Sequence, residues 1–205
     1  MNVRPGQIKK GRKFDQVLDG ARKVFLRDGF EGANVDDIAR ASGVSKATLY
    51  SYFPDKRLLF LEVFRVECDR QTHAALSEID FTAPVPIVLR KAAEHMVASF
   101  LSDLNQAVFR VCVAEADRFP ELGEAFYRSG PCRLHHEIVA YLGRADSAGA
   151  LAVPDPHLAA DQFIELCKAD IYLRHLLGVQ IRFTPAEIDR VIDGAVTTFM
   201  ARYAR

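Results

Sequence analysis

The sequence predicts an all-α chain, and three observations carry that reading. Apolar residues recur at helical spacing from Phe14 through Phe199. No stretch alternates apolar and polar residues for long enough to make a strand, and there is no internal repeat or low-complexity tract. Capping and breaking residues stand where each periodic stretch begins or ends.

Taken in order, Phe14, Val17, Leu18, Ala21, Val24 and Phe25 form one apolar stripe, with Gly29 as its stop. Asn34 opens a second helix with Asp37 in capping-box position, and Gly43 ends it. Ser45 caps a very short third helix, which Pro54-Asp55 breaks. Asp55 then caps a long fourth helix running to about Leu76. Past a loop at Asp80 to Pro86, helical patterns cover 87–103, 105–118 and 121–144. Pro131 removes an N–H and crowds the preceding turn, so the last of these should kink or restart at Gly130-Pro131. "DSAGALAVPDPH" (146–157) reads as a loop. Helices near 157–178 and 185–203 follow, divided by Gly178 and the Thr184-Pro185 start signal. These elements group as a small three-helix N-terminal domain over 1–57 and a larger helical domain over 58–205.

The composition limits what such a chain can be. Of 205 residues, 49% are hydrophobic and 26% charged, enough to bury a sizeable core. Net charge is zero, yet residues 1–56 carry 11 Lys/Arg against 7 Asp/Glu, and the remainder carries 16 against 20. A polyanion would therefore meet the first quarter. Cys68, Cys112, Cys132 and Cys167 lie far apart without a C-x-x-C pair, which fits buried thiols in a reducing compartment better than a zinc site or disulfide framework. No segment approaches the length of a membrane span and the start lacks a signal-peptide core, so a cytoplasmic location is expected.

The short third helix is the most informative stretch. At about 100° per residue, Leu49 and Phe53 fall together as inward anchors, and Ala47, Thr48 and Ser51 point away from them. Tyr50 and Tyr52 flank that outward face, with Lys46 at its N-terminal edge. A surface small at its centre and hydrogen-bonding at its margins suits a DNA major groove. Hydroxyls and the Lys56 ammonium would reach phosphates. The same geometry also serves as a plain two-helix corner in a bundle.

"FEGANVDDIARASGVSKATLYSYFPDKRLLFLEVF" closely resembles the N-terminal domain of the tetracycline-repressor (TetR/AcrR-like) bacterial transcription regulators. Gly29-Phe30, Ile38-Ala39, Gly43-Val44-Ser45, Leu49-Tyr50, Phe53 and Lys56 all fall in register, over about residues 13–65. "VFRVCVAEADRFPELGEAFYRSGP" (108–131) is similar to the C-terminal domain of the AefR-like subgroup. The resemblance implies nine or so helices, a homeodomain-like helix-turn-helix, and a homodimeric repressor on a palindromic double-stranded operator, released by a small molecule in the C-terminal domain. Carried over, Lys46, Ala47 and Tyr50 would meet bases, and Thr48, Ser51, Tyr52 and Lys56 phosphates. Asp36 stands where some members place a basic DNA contact, and Ser51 where many have a larger side chain. "RPGQIKKGRK" (4–13), with five basic residues and no acid, could follow the backbone or enter the minor groove.

Two reader helices must reach half-sites about one DNA turn, or a multiple, apart, so a dimer is required. The last two helices offer its interface through Phe163, Leu166, Leu173 and Leu177 on one face and Val191, Ile192, Ala195 and Phe199 on the other. For an effector pocket the candidates are His95, Met96, Phe100, Phe109, Arg110, Val113, Phe126 and Tyr172. No cofactor is called for, and no metal either. Adjacent His135 and His136 point about 100° apart on a helix, and Asp69 with His73 lacks a third ligand. Two other classes remain as alternatives: a helical interaction module without DNA binding, and a small all-α enzyme. The second lacks a nucleophile elbow, a phosphate-cradling glycine loop or a metal motif.

Overall fold

The computed structural model describes residues 11–205. Among them are eleven helices and one isolated bridge, Leu151 to Ala204. They are α1 (Arg12–Gly32), α2 (Val35–Ser42), α3 (Lys46–Tyr52), α4 (Lys56–Glu78), α5 (Val85–Phe100), α6 (Asp103–Ala114), α7 (Pro120–Ser129), α8 (Pro131–Ser147), α9 (Pro156–Leu166), α10 (Ile171–Leu176) and α11 (Pro185–Tyr203). The chain forms two compact units. One comprises the described part of Met1–Glu67 with Ala107–Phe126, and the other Cys68–Gln106 with Tyr127–Arg205.

Two expected helices are each divided, which accounts for eleven in place of nine. The stretch 121–144 restarts at Pro131, as its missing N–H requires. The stretch 157–178 breaks after Leu166, and periodicity gave no sign of that. At Asp170 the backbone enters φ 65°, ψ −53°, and the Ile171 N–H donates to Ala169 O at 2.7 Å, closing a γ-turn. Such a conformation costs a non-glycine residue on the order of 1–3 kcal/mol. Arg174 Nη1 (3.1 Å) and Arg190 hold the Asp170 carboxylate in place.

In the first unit α1 crosses α2 closely. A Cβ on Gly20 would lie 2.6 Å from the Ser42 backbone nitrogen. Phe25 and Phe30 pack on Phe60, at 4.7 and 5.0 Å between ring centres. Arg57 ties the start of α4 to the segment after α6. Its Nη1 donates to Glu115 at 2.8 Å, and its guanidinium lies 3.6 Å from the centre of the Phe119 ring. It also grips Asp55, whose carboxyl is held below the usual range chiefly by that contact. In the second unit Leu89, Met96, Leu142, Phe163 and Phe199 share one core. The loop after α8 is anchored into it by Leu151 and Val153, both buried. Burial pushes the Cys112 thiol up to about 11 and the Cys167 thiol up to about 12, so both behave as small apolar side chains.

Candidate nucleic-acid interface

The helix-turn-helix is fixed at each junction by residues whose chemistry demands it. Asn34 caps α2 by accepting from the Asp37 N–H at 2.8 Å, and Asp37 in turn receives Arg40 at 2.8 Å. Gly43 adopts φ 63°, the left-handed conformation that ends α2. Its N–H reaches Arg40 O and the Val44 N–H reaches Ala39 O, both at 3.1 Å, a Schellman closure. Ser45 then caps α3 through the Thr48 N–H at 3.1 Å. Ser42, buried beneath, returns its hydroxyl to Ile38 O at 2.7 Å.

The third helix sits on two anchors. Leu49 and Phe53 are each 2% exposed, and Phe53 stacks on Phe14 at 5.3 Å. Burying these two side chains stabilises the corner by about 1.5–3 kcal/mol each. The opposite side is open: Lys46, Ala47, Tyr50 and Ser51 are exposed, and Tyr50 retains 48% of its surface. Thr48 is half-buried and bonds the Ser45 hydroxyl at 2.9 Å. Tyr52 is half-buried with its ring edge on Phe14 at 5.8 Å, and the Ser51 hydroxyl donates to Thr48 O at 2.6 Å.

Two lysines in this region are already engaged. Lys46 pairs with Asp36 of α2, although both side chains remain more than half exposed. Lys56 directs its ammonium inward, to Phe30 O at 2.8 Å and Ala33 O at 3.0 Å, with the Phe30 ring centre 4.4 Å away. That commits two of its three donors to the fold and leaves one for a phosphate. Neither pairing shows in the sequence, because each partner lies ten or more positions away across a turn. Of the basic arm, residues 4–10 lie outside the described residues, and Arg12 and Lys13 belong to α1.

The eight side chains expected around an effector divide between the units. Phe109 and Phe126 meet at 5.8 Å in the first unit, where Phe64 stacks on Phe126 at 5.0 Å, while Arg110 and Val113 are exposed. In the second unit Met96 lies in the core and His95 Nε2 faces Glu78 at 3.2 Å. Phe100 and Tyr172 meet edge-to-face at 6.1 Å, with Lys168 over both rings. Burial raises the Tyr172 hydroxyl above its ordinary value. A separate surface groove of about 400 Å³ lies between α5 and α11, lined by Ile87, Arg90, Glu94, Asp193 and Val196 among others, and includes none of the eight. Among the described residues no group of three or more His, Cys, Asp or Glu is placed to hold a metal ion. No helix there is long and apolar enough to cross a membrane.

The expected interface residues also divide, and five of them are corrected. Phe163, Val191, Ile192, Ala195 and Phe199 fill the core of their own subunit at 6% exposure or less, because α11 packs on α5 and α9. Phe163 meets Phe199 edge-to-face at 5.1 Å. Those five side chains are not available to a partner, and Leu166 is half-buried. Leu173 (61%) and Leu177 (67%) stand open, followed by Val179 (72%) and Ile181 (68%).

The comparisons with known proteins agree with this geometry. Residues 17–63 match the family described as bacterial regulatory proteins of the tetR family, and residues 87–205 the AefR-like transcriptional repressor C-terminal domain. A TetR-family transcriptional regulator from Mesorhizobium loti superposes with a TM-score of 0.84 at 26% identity, over 95% of this chain and 98% of that one. The flavonoid-responsive regulator FrrA is 33% identical over the same shares, with a TM-score of 0.72. The transcriptional repressor AcnR of Corynebacterium efficiens is 38% identical over 55 residues, which is 27% of this chain and only 29% of AcnR. With the AefR-like match alone spanning more than half of its length, the chain belongs to the TetR family of bacterial transcriptional regulators.

Proposed function

We propose that this protein binds double-stranded DNA as a homodimer and represses transcription from a palindromic operator, until a small molecule bound within 58–205 releases it. One observation carries the reading: α3 commits Leu49, with Phe53 just beyond its end, to the core and leaves Lys46, Ala47, Tyr50 and Ser51 open on the opposite face, as a reading helix requires. Thr48, Tyr52 and the third donor of Lys56 are assigned to the phosphates beside it. The second copy is assigned to the segment of Leu173, Leu177, Val179 and Ile181, four large apolar side chains each more than 60% exposed. The AefR-like match over 87–205 favours repression. The protein would work in the cytoplasm, on the nucleoid when bound. Flavonoids are the first effector class to test, because FrrA is described as responding to them.

The test is binding of the purified chain to the DNA flanking its own gene, titrated with salt, against a Lys46→Ala/Tyr50→Ala variant. Site-selective binding that weakens steeply with salt and is lost in the variant is the expected result. A folded protein that shows no preference for any fragment of its own genome would refute the reading and favour the interaction module.

A further inference from the structure

The apolar spacing of 156–177 is that of one helix, and the structure makes it two. At about 100° per residue, Ala160, Phe163, Ile164, Cys167, Ile171 and His175 fall on one side of a continuous helix, and all six are buried. Leu166, Ala169, Leu173 and Leu177 fall within about 80° of one another on the far side. Burial therefore does not demand the break. Local hydrogen bonding does not demand it either. The Lys168 and Ala169 N–H groups reach back only three positions, to Glu165 O at 3.0 Å and Leu166 O at 3.2 Å, and that of Ile171 only two. A continuous helix would give each a carbonyl four positions back.

What holds the break is Asp170. Its φ of 65° and ψ of −53° lie in the rare γ-turn region, strained for any residue but glycine. Among the described residues no other non-glycine residue has a positive φ. Strain of this kind persists only where neighbours enforce it, and here Arg174 of α10 and Arg190 of α11 both take the Asp170 carboxylate. A latched, strained turn inside a stretch that could be one helix makes a bistable element. We infer that 156–177 has a second state, one continuous helix, and that a second copy of the chain packs against that state. The broken form interrupts the outer row between Leu166 and Leu173. The continuous form aligns Leu166, Ala169, Leu173 and Leu177 as one ridge, the shape that paired helices bury. Assembly is thereby coupled to straightening, and the latch on Asp170 sets how readily the chain dimerises. The inference rests on the assignment of the partner surface to Leu173 and Leu177 above.

The experiment measures the dimer dissociation constant of the full chain and of its Asp170→Ala, Asp170→Gly and Arg190→Ala variants by sedimentation velocity on dilution, each checked for native melting. Both Asp170 variants lose the carboxylate and its arginines, so the difference between them reports the backbone alone. Glycine relaxes the γ-turn and disfavours the continuous helix, whereas alanine leaves the turn strained and is the best helix former. Asp170→Ala should therefore dimerise about thirtyfold more tightly than Asp170→Gly. Arg190→Ala, which opens the latch without altering the turn, should dimerise more tightly than wild type. Equal constants for the two Asp170 variants, or a tighter dimer with glycine, would make the break a fixed part of the fold and overturn the inference alone. A wild-type chain that stays monomeric, or a dimer that Leu177→Glu leaves intact, would overturn the partner-surface reading and the inference with it.

Discussion

Lys56 holds Phe30 in two ways, donating to its backbone carbonyl at 2.8 Å while its ammonium stands 4.4 Å from the centre of the Phe30 ring. With the bond to Ala33 O at 3.0 Å, the lysine fastens the end of α1 to the start of α4. Lys56→Met should cost about 2 kcal/mol, the range for hydrogen bonds from a charged donor. That corresponds to a melting temperature lower by about 4–8 °C for a chain of this size. Should the salt slope of DNA binding also fall by about one, a phosphate contact from the third donor is established beside the structural role.

Gly20 should tolerate no side chain. Gly→Ala inside a helix ordinarily stabilises by about 0.5–1 kcal/mol. Here the new Cβ would stand 2.1 Å from Ser42 Oγ and 2.6 Å from Ser42 N. The sign should reverse, with a loss of about 1–3 kcal/mol from overpacking in a chemical denaturation series. DNA affinity should fall in parallel, since α2 must move away from α1.

The start of α11 makes a pH prediction. Glu187 receives the Thr184 N–H at 2.8 Å, the Thr184 hydroxyl at 2.9 Å and Gln180 at 3.1 Å, which hold its carboxyl down to about 2. A lowered folded-state pKa means that the contribution is complete above the ordinary value near 4.5 and disappears as pH falls towards 2. Denaturation midpoints measured from pH 6 to pH 2 should slope downward in that window. In Glu187→Gln they should start lower and slope less.

Leu177→Glu, alone or with Leu173→Glu, should convert a dimer to monomers in sedimentation velocity while leaving helix content and melting nearly unchanged. Both residues are more than 60% exposed, so a charge there disturbs no core. Operator affinity should drop by orders of magnitude, because a single reader helix forfeits the second half-site. A variant that stays dimeric would move the contact to another face.

Helix starts were legible in the sequence because a cap is a local device. Asn34, Ser45, Asp55 and Thr184 each accept from a backbone N–H two or three residues on, so their spacing alone exposes them. The outward face of α3 was legible for a similar reason, since Leu49 and Phe53 must lie opposite Ala47 and Ser51 on any helix. The break at Asp170 was not. "LCKADIYL" keeps helical periodicity straight through it, and a γ-turn centred on aspartate carries no glycine to mark it. Apolar stripes do not distinguish a subunit's own core from a partner's surface, which is why Phe163 and Phe199 read as interface residues. The Asp36–Lys46 contact depends on how one turn folds back and was invisible at ten residues' separation.

The two anchors of α3 have a consequence for how proteins of this kind diversify. Gly43, Ser45, Leu49 and Phe53 hold the corner together, while Lys46, Ala47, Tyr50 and Ser51 stay exposed outside its core. Substitutions at exposed positions usually change stability by no more than about 0.5 kcal/mol. On the DNA-binding reading proposed above, one copy of a duplicated gene can acquire new target promoters through changes on this surface while the anchors keep the corner folded.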